Sequence, residues 1–233
     1  MDIDKRIEDA VRHTEILRAP KQSLYTFGTT SIYYYLVTEP AYSELIQNIT
    51  ETVVREGRVI AERPKIVTPY YLSRLEGFSP EARRYFEALA EELGASARGL
   101  FYTYKNEPKE LNIVSDNLLS VVDKLNAEID KRSDPLAAII RGEDALWDVS
   151  LMKFIFEITR SSVPDNLRQL GRRGLLDIDA GGTPVDARIR IDELFDKVAK
   201  GECEPGELRD ELERWGLFEE YEDRFLNIFR KRR

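Results

Sequence analysis

Histidine and cysteine, two side chains that often perform catalysis, are rare in this chain. The 233 residues include one histidine, His13, and one cysteine, Cys203, so neither an internal disulfide nor a Cys/His zinc site can form. His13 lies on the polar side of an N-terminal helical pattern, and Cys203 lies in the turn-like link GECEPGE. We interpret both as incidental, and we predict no catalytic residue and no cofactor.

Acidic residues number 43, and this abundance hides any functional pair. Clusters such as Glu91-Glu92 lie on predicted helices and are typical of solvated faces. The stretch DIDAGG at 177–182 begins like a calcium loop, but Arg188 occupies the position that requires a bidentate glutamate. The sequence therefore identifies no metal ligand, although an acid-based, metal-assisted enzyme could assemble its site from distant acids.

Tyrosines on a predicted strand are a clearer signal. The stretch FGTTSIYYYLVTEP at 27–40 holds three consecutive tyrosines, and alternation along a strand places Tyr33 and Tyr35 on one face and Tyr34 on the other. An aromatic face can stack a planar ligand, and neighbouring cations strengthen such binding. The predicted ligand-binding residues are Tyr33, Tyr35, Arg63, Lys65 and Tyr102. Packing of these rings in the core is the alternative.

Basic residues in the second half suggest another activity. The segment 163–191 has the pattern of a helix, a short strand, a glycine turn and a strand, and it resembles the recognition helix and wing of a winged-helix domain. It lacks the short second helix of that pattern. The resemblance implies that Arg168, Arg172 and Arg173 contact the phosphates of a nucleic acid.

Composition and charge limit the partners and the cellular location that we expect. The net charge of −8 argues against a surface that is entirely a nucleic-acid or membrane footprint. No apolar run is long enough to cross a bilayer and the N-terminus is charged, so we expect a cytoplasmic protein with no membrane partner. A charged fraction of 33% with few Met and Cys residues is typical of heat-adapted proteins.

Period-two patterns in the first part predict three β-hairpins. The first joins strands at 24–27 and 32–38 through residues 28–30. The second, in TVVREGRVIAERPKIVT, turns at Gly57, and the third, in LFYTYKNEPKELNIVS, turns at 106–109. The glycine of FGTTS is thus assigned to a hairpin turn and not to a phosphate loop, because a strand follows it.

Helical patterns alternate with these hairpins. Helices are predicted at 3–18 and 79–94. The hairpin exits LVTEPAYSEL, IVTPYYLSRL and IVSDNLLSVV align without gaps, and their shared hydroxyl residue, Thr38, Thr68 or Ser115, predicts an N-cap for the next helix. The likeness indicates either a degenerate ββα repeat or the ordinary convergence of strand-to-helix junctions.

Helical patterns dominate beyond residue 133. Residues 146–158 are apolar on nearly every side, which predicts a buried central helix, and a short helix is expected around 166–173. Alternation at 185–191 predicts the second strand of a hairpin near 175–191. Three further helices are predicted at 192–200, 205–215 and 217–230. The last carries an apolar face wide enough to seal a core or to form a homo-oligomer.

Together these patterns predict an α+β fold in two parts. Residues 1–133 form an antiparallel sheet built from β-hairpins with helices packed on it, and residues 134–233 form a mainly helical region containing one hairpin. Our first functional hypothesis is a non-catalytic regulatory protein that binds a small planar ligand or a protein partner on an aromatic sheet surface. The alternatives are a nucleic-acid-binding protein and an acid-based enzyme.

Overall fold

The computed structural model describes residues 3–44, 50–74, 84, 91–92 and 97–231. The strands are β1 Glu15–Arg18, β2 Thr30–Thr38, β3 Thr52–Ala61, β4 Lys65–Val67, β5 Gly99–Phe101, β6 Tyr104–Val114 and β7 Ala137–Arg141. The helices are α1 Ile3–His13, α2 Pro69–Ser73, α3 Leu118–Arg132, α4 Trp147–Arg172, α5 Val185–Lys200, α6 Pro205–Trp215 and α7 Phe218–Lys231, with a 3-10 helix at Ala41–Glu44. The helix predicted at 79–94 lies largely outside the described residues.

The chain forms two compact units, each made from two stretches of sequence. Unit 1 contains residues 1–63 and 102–166, and unit 2 contains residues 64–101 and 167–233. The division predicted at residue 133 falls inside unit 1, because strand β7 follows that residue and belongs to the main sheet.

Unit 1 is built on a mixed five-stranded sheet in the order β1-β7-β2-β3-β6. Most neighbours are antiparallel, but β2 and β7 are parallel, with Tyr33 opposite Ala137. The α+β class is therefore confirmed, whereas a purely antiparallel sheet is wrong. The sequence does not predict β7, because a short, uniformly apolar run such as AAII cannot be told from part of a buried helix.

The second predicted hairpin is in fact one strand. β3 runs without a turn, and Gly57 in its middle pairs with Tyr34 of β2. A Cβ added at Gly57 would lie 2.6 Å from Cζ of Tyr34 and 2.9 Å from the carbonyl oxygen of Glu107. The glycine is thus required by the close approach of a tyrosine ring, and not by a turn.

The third predicted hairpin is wrong for a related reason. β6 continues through NEPK, where Glu110 pairs with Glu56 and Pro108 pairs with Gly57, so Lys109 is an extra residue in a β-bulge. β6 is an edge strand, where a proline sacrifices no ladder hydrogen bond. β5, the expected partner of β6, pairs with β4 in a two-stranded sheet of unit 2.

Residues 24–27 form no strand, so the first predicted hairpin is also wrong. The amide nitrogen of Asn166 on α4 donates to the carbonyl oxygen of Leu24 at 2.9 Å and to Oγ1 of Thr26 at 2.8 Å. The backbone amide of Leu24 donates to Oγ of Ser162 at 2.9 Å. Polar side chains of α4 therefore satisfy this segment in place of a partner strand.

Helices cover both faces of the sheet in unit 1. Ile32, Tyr34 and Leu36 of β2 pack with a cluster from α4, formed by Leu151, Phe154, Ile155 and Ile158. Tyr35 and Val37 pack with a cluster from α3, formed by Leu118, Val121, Val122, Leu125 and Ile129. We refer to these as the α4 face and the α3 face. The alternation predicted for the tyrosines is thus present, and each face has a helical cover.

α4 is one 26-residue helix where the sequence predicts two. Pro164 lies within it, and Asn166, at the start of the predicted second helix, is fully buried. Met152 and Phe156 are 63% and 64% exposed, so the predicted central helix is buried on one side only. A nearly continuous run of apolar residues hides this one-sidedness from a periodicity argument.

The three similar strand exits have different roles. Oγ1 of Thr68 accepts a hydrogen bond from the amide of Tyr71 at 3.3 Å and caps α2, as predicted. α3 is capped instead by Asn117, whose Oδ1 accepts from the amide of Ser120 at 2.9 Å. Thr38 donates to Asp144 at 2.9 Å. Because the hairpins are also absent, the exits are not copies of one ββα unit.

The N-terminal helix is shorter than predicted. It ends at His13, and residues 15–18 form strand β1. Nζ of Lys153 on α4 donates to the carbonyl oxygens of Val11 and Thr14 at 3.1 and 2.8 Å. A cation at these terminal carbonyls ends the helix favourably.

Unit 2 has its own helical core. Its buried residues are Val67, Tyr71, Ala187, Ile191, Phe195, Val198, Leu208, Leu212, Trp215, Leu217 and Phe225. The strand predicted at 185–191 is wrong, because these residues begin helix α5, and the predicted hairpin is reduced to a single bridge between Ile178 and Pro184. The helices at 205–215 and 217–230 are confirmed as α6 and α7.

The last helix, α7, contributes to the core of unit 2. Phe225 is buried, and Phe218 and Tyr221 pack against the same cluster. Leu226 and Phe229 are each 45% exposed. The apolar face therefore seals the core with one part and shows another part to solvent, and self-association through it stays a prediction.

Candidate functional site

A pocket of about 240 Å³ opens on the α3 face of unit 1. We call it the Tyr33 pocket. Its lining residues are Tyr33, Tyr34, Tyr35, Glu56, Gly57, Lys109, Ile129, Arg132, Asp134 and Ala137. It therefore combines two of the predicted ligand-binding tyrosines with two acids and two bases.

The pocket exists because its helical cover ends early. α3 stops at Arg132, and Ser133 adopts a left-handed backbone conformation, with φ of 53°, that turns the chain toward β7. Tyr35 lies under α3 and is 8% exposed, whereas Tyr33, two residues earlier on the same face, is 44% exposed. The end of the helix thus leaves one ring open and buries the next.

Glu56 is a partly buried carboxylate in this pocket, and its pKa is shifted. It lies opposite Tyr35 on β3 and is only partly exposed. Burial raises the pKa of Glu56, the carboxylate of Glu110 raises it further, and Lys109 lowers it in part. The raised pKa means that the protein does not fully compensate the charged carboxylate.

Burial also raises the pKa of Tyr35, and the nearby charge of Glu56 adds to this effect. The phenol consequently stays protonated at neutral pH, so its hydroxyl group retains a proton that it can donate. The wall of the pocket between the two residues therefore has both donor and acceptor character.

Two cations and a second acid complete the lining. Lys109 is the extra residue of the β-bulge in β6. Arg132, in the last turn of α3, forms an ion pair with Glu128, and its side chain is 61% exposed. Oδ1 of Asp134 accepts a hydrogen bond from the amide of Leu136 at 2.8 Å. Positive and negative groups thus occur together around a small volume.

The structure does not bring all the predicted ligand-binding residues together. Tyr102 packs on the α4 face, where its hydroxyl donates to Oδ1 of Asn166 at 2.7 Å. The guanidinium of Arg63 lies 5.7 Å from the centre of the Phe27 ring. Lys65 belongs to β4 of unit 2. Of the five predicted residues, Tyr33 and Tyr35 line the Tyr33 pocket.

The arginines predicted to bind nucleic acid lie at the end of α4 and just after it. Arg168, Arg172 and Arg173 are exposed in unit 2. The strand that would form a wing beside them is helix α5, which removes the structural resemblance on which this alternative depended.

The two residues that the sequence singles out by their rarity have ordinary surroundings. Nδ1 of His13 lies 3.2 Å from Oε1 of Glu143, and both side chains are exposed. Burial raises the pKa of the Cys203 thiol, and Glu207 raises it further, so the thiol stays protonated at neutral pH. In the part of the chain that the structure describes, no three or more His, Cys, Asp or Glu side chains are grouped to hold a metal ion.

Glu56, Lys109, Arg132 and Asp134 are the pocket residues that sequence reasoning missed. Lys109 was assigned to a turn, and Glu56 to the residue before one, so neither could be placed on a face. The signal for Glu56 was present: in an uninterrupted strand paired with β2, it falls opposite Tyr35.

Comparison with known proteins provides no relative for this chain. No protein-family model matches it, and neither a curated protein nor a solved structure shows significant similarity to it. Among the described helices, none has the length and apolarity needed to cross a membrane.

Proposed function

We propose that unit 1 is a non-catalytic binding unit that takes a small zwitterion of amino-acid size in the Tyr33 pocket. The observation that supports this most strongly is the position of Glu56, a partly buried carboxylate that lines the pocket opposite Tyr35, and the raised pKa of Glu56 indicates that its charge is incompletely compensated. A ligand cation beside it would supply that compensation.

An ammonium group has three further sources of attraction in this pocket. The carboxylate of Asp134 lies in the lining, and the C-terminal end of α3 carries a partial negative charge. The rings of Tyr33 and Tyr35 offer faces that attract cations. These features support our assignment of the positive end of the ligand to the space between Glu56 and the tyrosines.

The negative end of the ligand is assigned to Lys109 and Arg132. Both line the pocket, and the guanidinium of Arg132 can bind a carboxylate through two parallel hydrogen bonds. A ligand with only one charge would leave one pair of lining charges unmatched. A zwitterion therefore suits the pocket better than a simple amine or a simple acid.

The ligand that suits this pocket is small, and a planar group in it can stack on Tyr33. A volume of about 240 Å³ lies below the range of roughly 300–1,000 Å³ that is typical of drug-sized ligands. The exposed ring of Tyr33 forms an open wall against which a planar group can stack.

Calorimetric titration with three related molecules tests this proposal. L-phenylalanine carries both charges, phenethylamine carries only the cation, and 3-phenylpropionate carries only the anion. We expect L-phenylalanine to bind at least about tenfold more tightly than either single-charge analogue, because each lost charged hydrogen bond is worth about 1.5–3 kcal/mol. Equal binding of all three would contradict the zwitterion assignment.

Two variants locate the binding. Glu56→Gln keeps the size of the side chain and removes its charge, so affinity for L-phenylalanine should fall at least about tenfold. Glu62→Gln is the matched control, because Glu62 is an exposed acid next to β3 that does not line the pocket. If both variants bind as tightly as the wild type, the Tyr33 pocket is not the site.

A further inference from the structure

A second pocket lies on the opposite face of the same sheet. It has a volume of about 360 Å³, and we call it the Trp147 pocket. Its lining residues are Tyr34, Arg55, Glu56, Pro108, Lys109, Glu110, Leu111 and Trp147. Neither the sequence hypotheses nor the proposed function uses it.

Arg55 makes three contacts with neighbouring side chains in this pocket. Its Nη1 atom lies 2.8 Å from Oδ1 of Asp144 and donates to Oγ1 of Thr38 at 3.3 Å. The guanidinium also lies 5.7 Å from the centre of the Trp147 ring. A guanidinium fixed by an ion pair and an aromatic ring loses little freedom when it binds a ligand.

The hydrogen bonds of Asp144 stabilise its charged form. It accepts hydrogen bonds from Thr38 at 2.9 Å and from the backbone amide of Ala41 at 3.3 Å. Burial alone would raise the pKa of Asp144, but its hydrogen bonds with Arg55 and Thr38 lower it. The side chains of Arg55 and Asp144 are 16% and 20% exposed, so the pair is largely shielded from water.

The hydrogen bonds described for Arg55 are made through Nη1. A guanidinium has five N–H donors in a planar fork, and the usual partner for the remaining edge is a planar group with two oxygens. Arg55 therefore has donors left over to recognise a carboxylate.

One side of the pocket is aromatic and apolar. Leu111 pairs with Arg55 across β3 and β6 and is 56% exposed, and Pro108 lies on the same face. The two acids in the lining, Glu56 and Glu110, pair with each other one position away from Arg55 and so belong to the other face.

We propose that the Trp147 pocket binds a planar aromatic carboxylate. The ring of the ligand packs against Trp147 between Leu111 and Pro108, and its carboxylate accepts hydrogen bonds from Arg55. The two pockets share Tyr34, Glu56 and Lys109, but this inference is independent of the Tyr33 pocket because Arg55, Trp147, Leu111 and Pro108 do not line that pocket.

Fluorine NMR with 4-(trifluoromethyl)benzoate tests the assignment. The full chain should broaden the fluorine signal of this acid in a saturable manner. The neutral analogue 4-(trifluoromethyl)benzamide has nearly the same shape, and we expect it to bind at least about tenfold more weakly, because it lacks the charge that Arg55 recognises. Equal affinity for the two probes would overturn the proposal.

Substitutions on an exposed strand then place the probe in the pocket. Leu111→Glu brings a carboxylate to the mouth of the pocket and should weaken binding of 4-(trifluoromethyl)benzoate at least about tenfold. Ile113→Glu is the matched control, because Ile113 is 54% exposed on the same face of the same strand but does not line the pocket. Equal loss in both variants, or no loss in either, would show that the acid binds elsewhere.

Arg55→Gln provides an independent check of the carboxylate contact. It should abolish the preference for the acid over the amide, and the circular dichroism spectrum should remain that of the wild type. If Arg55→Gln does not fold, the Leu111→Glu and Ile113→Glu pair decides the question. A retained preference in folded Arg55→Gln would overturn the proposal.

Discussion

Both faces of the sheet in unit 1 carry tyrosines, but these tyrosines differ in exposure and in their hydrogen-bond partners. On the α4 face, Tyr34 donates to Asn106 at 3.1 Å and Tyr102 donates to Asn166 at 2.7 Å, so the hydroxyl groups have fixed protein partners. On the α3 face, Tyr33 is 44% exposed beside the partly exposed Glu56. The tyrosine hydroxyl groups of the α4 face therefore stabilise the fold, whereas Tyr33 on the α3 face keeps an exposed ring.

The length of the helical cover explains the difference. α4 has 26 residues and extends beyond its apolar cluster. There, Ser162 and Asn166 form hydrogen bonds with backbone groups of the segment before β2. α3 has 15 residues and ends at the level of Glu56 and Ala137, where the pocket begins. Whether a tyrosine is structural thus depends on the helix above it, and not on the tyrosine itself.

The largest expected effect is on the α4 face. Asn166→Ala removes three hydrogen bonds from a fully buried site and should lower the free energy of unfolding by about 3 kcal/mol. Urea unfolding measures this loss. Asn112→Ala is the control on the exposed edge strand, and we expect a change within about 0.5 kcal/mol. Similar losses at both sites would remove the distinction between the faces.

The contact between Gly57 and Tyr34 should be nearly as sensitive. Gly57→Ala places a methyl group against the ring of Tyr34, and overpacking of this kind costs about 1–3 kcal/mol. The same urea experiment applies. Gly206→Ala is the control, since a Cβ there meets no atom within 4 Å. A stable Gly57→Ala variant would mean that the ring of Tyr34 can move away from the strand.

Removing single hydroxyl groups gives the direct comparison of the two faces. Tyr102→Phe leaves Oδ1 of Asn166 without its donor and should cost about 1 kcal/mol. Tyr33→Phe should change the free energy of unfolding by less than about 0.5 kcal/mol, because Tyr33 is exposed. The opposite order would place the structural tyrosines on the α3 face.

The smallest expected effect on stability is that of Glu56, and it has a definite sign. The pKa of Glu56 is raised in the folded protein, so its contribution to stability is present below the ordinary glutamate pKa and is lost as the pH rises through the raised value. Glu56→Gln should therefore unfold at a slightly higher temperature than the wild type at neutral pH, with a gain below about 0.5 kcal/mol. The advantage of the variant over the wild type should disappear when thermal melts of both are repeated at acidic pH, where Glu56 of the wild type is protonated.

Local signals predicted the helical elements better than the sheet. Thr68 with Pro69, and the helices at 205–215 and 217–230, follow from capping residues and apolar spacing alone. The role of Gly57 and the bulge at Lys109 did not follow from local signals. A glycine that makes room for a distant ring has the same local pattern as a glycine in a turn.

Only part of the candidate site could be predicted from the sequence. Alternation placed Tyr33 and Tyr35 on one face, and the structure keeps them there. Arg132 and Asp134 join them only because α3 ends over the sheet and β7 then pairs in parallel with β2. Such a meeting depends on long-range pairing, which no local pattern of residues specifies.

The most direct test of the Tyr33 pocket is a titration of the isotope-labelled protein with L-phenylalanine, followed by amide NMR shifts. We predict that the largest shifts occur at Tyr33, Tyr35, Glu56 and Ala137, and that they diminish as the pH falls and protonates Glu56. Shifts confined to residues outside this pocket, or affinity that does not change when Glu56 is protonated, would contradict the proposed role of the α3 face.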